Sequence, residues 1–490
     1  MAISDDLREA LLDAAPKPLE ALRRDLLDTS RDASEDPVVD ARRWEHLGIF
    51  FGLTCASQFA WIMYSAAPAT AAAGFGATAG QVTFVSTVYP LLYLPGCVLA
   101  ARATKRGGLR GAMREASAWM AAGASAKVGG SALGWFLRDG AAAYGCVVLG
   151  QALMALGQPH LVNAPAQLAQ EWFPASERET AATAGLLGNI VGQALGEALS
   201  PLVCSATAGW LGDRGALTVL AGASLLPVGV CGLWCARRFR ASPNPPKLAT
   251  SSLWRDWRQL LGDAHFRRLF FAFCVGLGVF NALLAMVAQW LAPCGYSATT
   301  AGALGATFVL VGVPCAALVA LRLDATRDYK GYVKRVAGAD LAFTALLCLA
   351  ATRGAAPALY AAFGCLGGSI VATSAVVMET AVEATYPTSP EVPTGLLFCA
   401  GNTLSIASIY AIQFLLELQG GACEGLSSVG AGHHAPVALF LLANIFLCFL
   451  LLVTYDGPLR RLDAERAHAV RRSTDTLASL APRDFDDLAA

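Results

Sequence analysis

The sequence predicts an all-α polytopic membrane protein with about twelve transmembrane helices. Three observations lead to this prediction: 55% of the 490 residues are hydrophobic, only 15% are charged, and long apolar segments recur along the chain. A water-soluble protein of this length needs more charged surface. Lys plus Arg and Asp plus Glu are equal at 36 each, so no net charge draws the chain towards nucleic acid.

The apolar segments define the predicted spans. A helix of about 20 residues, at about 1.5 Å per residue, crosses a hydrocarbon core of about 30 Å. The segments lie at about 47–68, 81–101, 112–133, 141–164, 182–204, 216–236, 268–292, 300–321, 336–352, 357–378, 394–416 and 436–454. Their boundaries are soft because alanine and glycine dilute the hydropathy signal.

Basic residues indicate the orientation of these spans. They concentrate before the first span and after the second, sixth, eighth and twelfth, whereas the alternate loops hold little beyond Arg138, Arg214 and Arg353. By the positive-inside rule, both chain ends and the central loop are cytosolic. The N-terminus lacks the features of a cleaved signal peptide, so we expect the first span to act as an uncleaved signal. The plasma membrane is the default location.

The chain divides at a cytosolic joint. We expect a cytosolic N-terminal amphipathic segment at 1–43, a six-helix half at 44–240, a cytosolic linker with a surface helix at 241–265, a second six-helix half at 266–456 and a cytosolic tail at 457–490. In the linker, a proline-rich turn precedes a short helix with Trp254, Trp257, Leu260 and Leu261 on one face.

The two halves echo each other in sequence. FPASE at 173–177 is followed by GLL at 185–187, and YPTSPE at 386–391 is followed by GLL at 395–397. Both echoes share an offset of about 210 residues, which also superimposes the first span on the seventh. Parallel repeats of six helices, related by an axis along the membrane normal, are the architecture of major facilitator transporters. The sequence therefore predicts that fold.

Short motifs resemble those of one branch of this superfamily. They include QFAWIMY at 58–64, VSTVY at 85–89, YLP at 93–95, EWF at 171–173 and AVEATYP at 381–387. In order, over residues 43 to 456, they resemble the feline leukaemia virus subgroup C receptor-related transporters. The resemblance implies a carrier of choline or ethanolamine, with haem or a vitamin-like solute as alternatives.

The resemblance also implies a binding site. In the family's choline carriers an aromatic cage holds the quaternary ammonium, and Trp61 falls on the cage tryptophan. Gln158 matches the binding-site glutamine of the fourth helix. Asn281 replaces the cage tyrosine of the seventh helix, and Asn402 replaces the glutamine of the eleventh. We expect the solute to contact Trp61, Gln158, Asn189, Asn281 and Asn402.

The lost cage tyrosine changes the expected solute. A hydrogen-bonding wall in its place favours a solute that carries hydroxyls, amides or a primary amine. Phe280 or Tyr296 substitutes for the ring only if the helix geometry allows it.

Several of these residues also have structural interpretations that involve no solute. Trp61 is equally consistent with an interfacial anchor, the commonest role of a membrane tryptophan. Gln158 lies in a QPH stretch that is either a solute contact or a structural kink. Asn189 and Gln193 either line the cavity or form bonds between helices.

Two loops lie where this superfamily carries a basic-acidic gating motif. Asp324 and Arg327 fit the copy after the eighth span, so the resemblance implies a charge latch there. In the copy after the second span, Lys105 occupies the acidic place, which indicates a degraded latch.

Four ionisable residues fall within or near the apolar segments. For Lys127, Glu197, Asp340 and Glu379 we expect snorkelling or helix-end pairing rather than a role in the solute pathway. No acid clearly occupies the midplane of the first half, which favours facilitated uniport over proton symport.

The fourteen cysteines are scattered, and many lie in apolar runs, which favours packing roles. Cys204, Cys294 and Cys423 lie near span ends assigned to the outer side. We expect them to be unpaired, with a disulfide among them as the alternative.

Motifs of other function classes are missing from the sequence. It contains no GxxxxGK[ST], GxSxG or HExxH motif, which disfavours an ATP-driven pump and a membrane hydrolase. We expect no enzyme activity, cofactor, metal or nucleic-acid partner, and a monomer that contacts only the bilayer and a small-molecule solute. The leading hypothesis is alternating-access transport; a proton-coupled symporter and a receptor without flux are alternatives.

Overall fold

A computed structural model describes residues 40–174, 177–242, 253–326, 328–386, 388, 391–420, 423 and 435–464. Most of the predicted N-terminal amphipathic segment and most of the tail lie outside these residues. The described helices are α1 (Arg43–Ile62), α2 (Pro68–Phe75), α3 (Ala79–Leu137), α4 (Gly140–Val162), α5 (Pro165–Trp172), α6 (Arg178–Arg238), α7 (Leu253–Gly262), α8 (Ala264–Leu291), α9 (Ala298–Thr326), α10 (Tyr329–Ala350), α11 (Ala356–Thr385), α12 (Glu391–Leu418) and α13 (Pro436–Val453). No strand occurs among the described residues.

The two longest helices each contain two spans. α3 has 59 residues and α6 has 61, which is far more than the roughly 20 residues that cross a bilayer. Each turns back at one glycine with a positive φ, Gly108 at 61° and Gly212 at 70°. Glycine is the residue that adopts this backbone without a Cβ penalty. Both turns therefore depend on the identity of a single residue.

The remaining spans follow from helix length and hydropathy. Eight helices of the described residues are long and apolar enough to cross a membrane, α3 and α6 among them. α1 and α10, with 20 and 22 residues, have spanning length but are not in that set. Counting α3 and α6 as two spans each and including α1 and α10 gives the twelve spans of the predicted fold.

Hydrogen bonds between helix ends define two sides of the bundle. On the side here called terminal, Arg43 Nε donates to Glu177 Oε2 at 2.9 Å and Arg268 Nη1 donates to the Thr454 carbonyl at 3.0 Å. The turn of α6 lies on the opposite side, here called far, where Arg214 donates to the Gly74 carbonyl. Both ends of the described chain thus lie on the terminal side, as an even number of spans requires.

The linker helix α7 packs at the terminal side. Trp257 and Leu260 are buried, and Trp257 Nε1 donates to the Val392 carbonyl at the start of α12. Trp254, predicted on the same apolar face, is 61% exposed. The contact attaches the linker to the second half.

A disulfide joins Cys294 to Cys423 on the far side. The expectation that these cysteines are unpaired was wrong. The two Cα atoms lie 4.6 Å apart although 129 residues separate them in sequence. Only the packing of α8 beside α12 brings the two residues together, and no local pattern reveals that contact. Cys204, the third cysteine considered, is free and buried.

Glycines let α6 pack closely against α1. Gly188, Gly192 and Gly196 repeat every four residues and face the backbone of Phe51, Cys55 and Phe59. Such small-residue stripes allow membrane helices to approach closely. A Cβ on Gly192 would collide with the carbonyl oxygen of Cys55.

We expect Gly192→Leu to lower the free energy of unfolding by about 1–3 kcal/mol or more, because the new side chain forces α1 and α6 apart. Gly222→Leu is the control, since Gly222 lies on the same helix with no atom near its missing Cβ. Thermal unfolding of the detergent-solubilised variants measures the effect. Equal melting temperatures for both variants would contradict the close contact.

The predicted latch lies outside the described residues. Arg327 and the side chain of Asp324 are not among them, so the gating role of this pair stays a prediction.

Candidate solute-binding site

A cavity open to solvent lies between the two halves, and about 460 Å³ of space, open solvent included, lies within its walls. Helices α1, α3, α4 and α6 of the first half and α8 and α12 of the second contribute to its wall. All five residues predicted to contact the solute line this cavity: Trp61, Gln158, Asn189, Asn281 and Asn402. Their binding role remains a prediction, but the fold brings them together from five different helices.

Trp61 lies inside the bundle. Its side chain is almost fully buried, and its indole Nε1 donates to the Ser86 carbonyl of α3 at 2.9 Å. An interfacial anchor would instead face lipid headgroups. The hydrogen bond satisfies the only polar atom of the ring and fixes its orientation, so the ring forms a rigid part of the cavity wall.

Further aromatic rings complete this wall. Tyr89, Tyr93, Phe280 and Phe398 also line the cavity. Of the two residues considered as substitutes for the lost cage tyrosine, Phe280 lies at the cavity and Tyr296 does not. The Tyr296 hydroxyl donates to the Thr352 carbonyl at 2.7 Å, in a turn on the far side.

Four amide side chains of the first half face the cavity without a protein partner. Gln58, Gln158, Asn189 and Gln193 line it, and none forms a hydrogen bond to another described residue. An amide shielded from water without a partner is costly, by roughly 2 kcal/mol or more. These groups are therefore available to bind a polar solute or water.

The two asparagines of the second half have defined orientations. Asn402 Nδ2 donates to the Phe398 carbonyl at 2.8 Å. Asn281 Nδ2 donates to Ser405 Oγ at 3.0 Å. That hydroxyl in turn donates its only hydrogen to the Gly401 carbonyl. Since a carbonyl only accepts and this hydroxyl has no hydrogen left, each NH₂ group is fixed in place. Both asparagines therefore offer their Oδ1 atoms as the free acceptors.

The cavity wall is electrically neutral. Apart from the two tyrosines, the described side chains that line it are amides, hydrocarbons and aromatic rings, without a carboxylate or a basic group. The site thus discriminates by hydrogen bonds and ring faces rather than by ion pairs.

Three of the four ionisable residues lie deeper than expected. Lys127 and Glu197 are fully buried and Asp340 is 6% exposed, whereas the side chain of Glu379 is 48% exposed. The expectation of snorkelling was wrong for the first three. Asp340 lies inside its span because α10 begins at Tyr329, well before the apolar segment that predicted it. Lys127 and Glu197 lie within their predicted segments and are buried by packing between helices.

Lys127 forms the polar centre of the first half. Its Nζ donates to Gln151 Oε1 at 3.2 Å and lies 5.9 Å from the centroid of the Tyr64 ring. Among the described residues it has no carboxylate partner. The ammonium lies apart from the cavity wall, and we assign it a structural role.

A second cavity of about 390 Å³ lies within the second half. Asp340 lines it, with Oδ2 accepting from Thr373 Oγ1 at 2.7 Å and Oδ1 without a described partner. Leu277 belongs to the walls of both cavities. The two cavities therefore share a wall residue on α8.

The QPH stretch contributes only Gln158 to the cavity. Pro159 packs against Gly96 of α3, and the buried His160 Nε2 lies 3.7 Å from Glu115 Oε1. The proline therefore serves helix packing and the histidine lies outside the cavity wall.

Sequence reasoning missed three aromatic lining residues. Tyr89 and Tyr93 were present in the motifs that carry the resemblance, and Phe398 lies one turn before Asn402 on α12. Helical spacing from Asn402 was the signal that could have identified Phe398.

Comparisons with known proteins place this geometry in context. A sequence profile of the Major Facilitator Superfamily matches residues 49–409. Solute carrier family 49 member A3 of Xenopus tropicalis is 29% identical over 400 residues, which cover 79% of this chain and 80% of that protein. The choline/ethanolamine transporter FLVCR1 of Felis catus is 27% identical over 454 residues, which cover 88% of this chain and 76% of that protein.

Solved structures show the same fold. The E. coli fucose:proton symporter aligns with a TM-score of 0.56 at 12% identity, over 83% of this chain and 98% of its own. A D-xylose-proton symporter aligns with a TM-score of 0.61 at 11% identity, over 84% of this chain and 97% of its own. The profile match spans most of both helical halves and the cavity between them. The chain therefore belongs to the major facilitator superfamily and is a transporter related to the FLVCR proteins.

Proposed function

We propose that this transporter carries a small amino alcohol with a primary ammonium group, of the ethanolamine type, by alternating access. The observation that supports this most directly is the orientation of Asn281 and Asn402, whose NH₂ groups are bound within the protein and whose Oδ1 atoms are free. Two fixed acceptors at a cavity that also contains Trp61 suit a cation with N–H donors.

The aromatic rings of the cavity wall support the assignment of a cationic solute. A cation over the face of a tryptophan ring gains about 0.5–2 kcal/mol. A primary ammonium has three N–H donors for the asparagine oxygens, whereas the quaternary ammonium of choline has none. Replacement of the cage tyrosine by Asn281 therefore shifts the preference from choline to ethanolamine.

The first half supplies partners for the hydroxyl. The free amides of Gln58 and Gln158 both donate and accept hydrogen bonds, as an alcohol requires. Haem fits less well because its two carboxylates need cations, and the cavity wall provides none.

The orientation of the protein belongs to the same proposal. Positive charges predict a cytosolic terminal side. The Cys294–Cys423 disulfide lies on the far side, and disulfides persist in oxidising compartments. These two signals support a far side that faces the exterior or a lumen.

Uptake into proteoliposomes tests the proposed solute. Labelled ethanolamine is expected to enter with a lower KM than labelled choline, and excess unlabelled ethanolamine is expected to compete. Stronger uptake of choline would overturn the preference for a primary amine. Binding of either compound without flux would favour the receptor hypothesis.

We expect Asn402→Leu to raise the KM for ethanolamine about 10- to 100-fold, because a hydrogen bond to a charged group contributes about 1.5–3 kcal/mol. Asn444→Leu is the matched control. Asn444 Nδ2 also donates to a carbonyl four residues earlier at 2.8 Å, but on α13 and away from the cavity. Equal KM values for the two variants would remove Asn402 from the site.

A further inference from the structure

We propose that Glu197 is a proton-binding site in the contact between the two halves, and that loss of its proton opens that contact on the far side. The use of this switch in solute transport rests on the proposed function. It departs from the uniport expectation, which depended on finding no acid at the midplane of the first half.

Glu197 is fully buried and unpartnered. Neither carboxyl oxygen has a hydrogen-bond partner or a salt bridge among the described residues. An isolated buried carboxylate is strongly unfavourable, and such a group neutralises instead. The side chain is therefore present as the neutral acid in this conformation.

The acid lies where the halves meet. α6 belongs to the first half and α9 to the second, and they cross at Glu197. A Cβ on Gly302 would collide with the Glu197 carbonyl oxygen, and one on Gly305 would lie 3.0 Å from Glu197 Cγ. Two glycines of α9 thus make room for this turn of α6. Gly302 lies near the start of α9, so the contact is on the far side of the cavity.

Among the described residues, no charged side chain neutralises Glu197. The helix α1 presents Phe59 and Ile62 beside this turn of α6, and α9 presents Gly302 and Gly305. No basic side chain that the structure describes lies within hydrogen-bond distance of either carboxyl oxygen. Neither described cavity is lined by Glu197, so neither provides space for an inorganic cation against it. A proton needs no such space.

The position connects the acid to the solute cavity. Gln193, which lines the cavity, lies four residues before Glu197 and hence on the same face of α6. When the halves separate on the far side, α9 withdraws and water reaches the carboxyl. Water favours the ionised form, so protonation favours the closed contact and proton loss favours the open one.

Two measurements test this proposal, and neither of them requires a solute. Infrared spectroscopy of purified protein at neutral pH is expected to show a protonated-carboxyl C=O band that loses a component in Glu197→Gln. This component is distinct from any component lost in Asp340→Asn, which removes the buried acid of the second half. The control Glu379→Gln removes an acid whose side chain is half exposed and is expected to retain the component. A wild-type spectrum without this component would overturn the proposal.

The second readout follows the contact itself. Spin labels carried by non-canonical amino acids at Ala208 and Thr299 report the distance between α6 and α9 on the far side. We expect this distance to increase from mildly acidic to mildly alkaline buffer in the wild type and in Glu197→Asp, and to stay short in Glu197→Gln. An increase in Glu197→Gln equal to that of the wild type would exclude Glu197 as the switch.

Transport then connects the switch to function. With labelled ethanolamine as the probe, entry from the far side is expected to rise with pH in the wild type and to lose that dependence in Glu197→Gln. Absence of ethanolamine flux in every variant would contradict the proposed solute alone, because the infrared and distance results do not depend on it.

Discussion

Trp61→Ala is expected to raise the KM for ethanolamine by up to about 30-fold, because a lost cation–π contact removes up to about 2 kcal/mol of binding free energy. The ring is buried at the cavity, and its only polar atom is already bound to the Ser86 carbonyl. Binding therefore depends on the ring face. Uptake at limiting solute measures the effect, and the melting temperature checks that the variant folds.

Trp210→Ala is the matched control for this experiment. The Trp210 indole also donates to a backbone carbonyl, that of Ala206 at 2.8 Å, but its side chain is 74% exposed. Trp61→Phe is expected to give an intermediate KM because it keeps a ring face. If Trp61→Ala transported as well as Trp210→Ala, the ring would not contact the solute.

Asn281→Tyr is expected to shift selectivity towards choline by about tenfold or more, since it adds a ring face and removes an N–H acceptor. Asn281 lies at the cavity beside Phe280, so the new ring faces the same space as Trp61. The ratio of choline uptake to ethanolamine uptake, measured with both labels in one preparation, reports the shift.

Ser405→Ala separates the two effects of that substitution. It removes the partner that holds Asn281 Nδ2 without adding a ring. We expect it to weaken ethanolamine uptake and leave choline uptake unchanged. A selectivity ratio for Asn281→Tyr that equals the wild-type ratio would show that this position does not face the ammonium group.

Much of the fold was predictable because the bilayer restricts the possibilities. Apolar segments of spanning length and an internal echo at one offset were enough to predict two six-helix halves. Helix ends were not predictable from the same signal, because alanine and polar residues extend the spans beyond their apolar parts. That is why Asp340 was expected near a span end and lies buried.

The sequence predicted which residues line the candidate site but not how their side chains are oriented. Resemblance identified Trp61, and the departures at positions 281 and 402 indicated a polar wall. Which end of each asparagine is free depends on Ser405 and on the Phe398 carbonyl, and these contacts exist only in the folded bundle. The disulfide was unpredictable for the same reason, since it joins residues far apart in sequence.

The bond between Cys294 and Cys423 closes a covalent ring that contains α9, α10, α11 and α12. A protease that cuts one loop within this ring leaves the polypeptide as a single molecule. The far-side ends of α8 and α12, two of the helices that carry the cavity wall, remain tethered even after such a cut. Nicked protein in an oxidising compartment thus keeps α8 and α12 covalently connected.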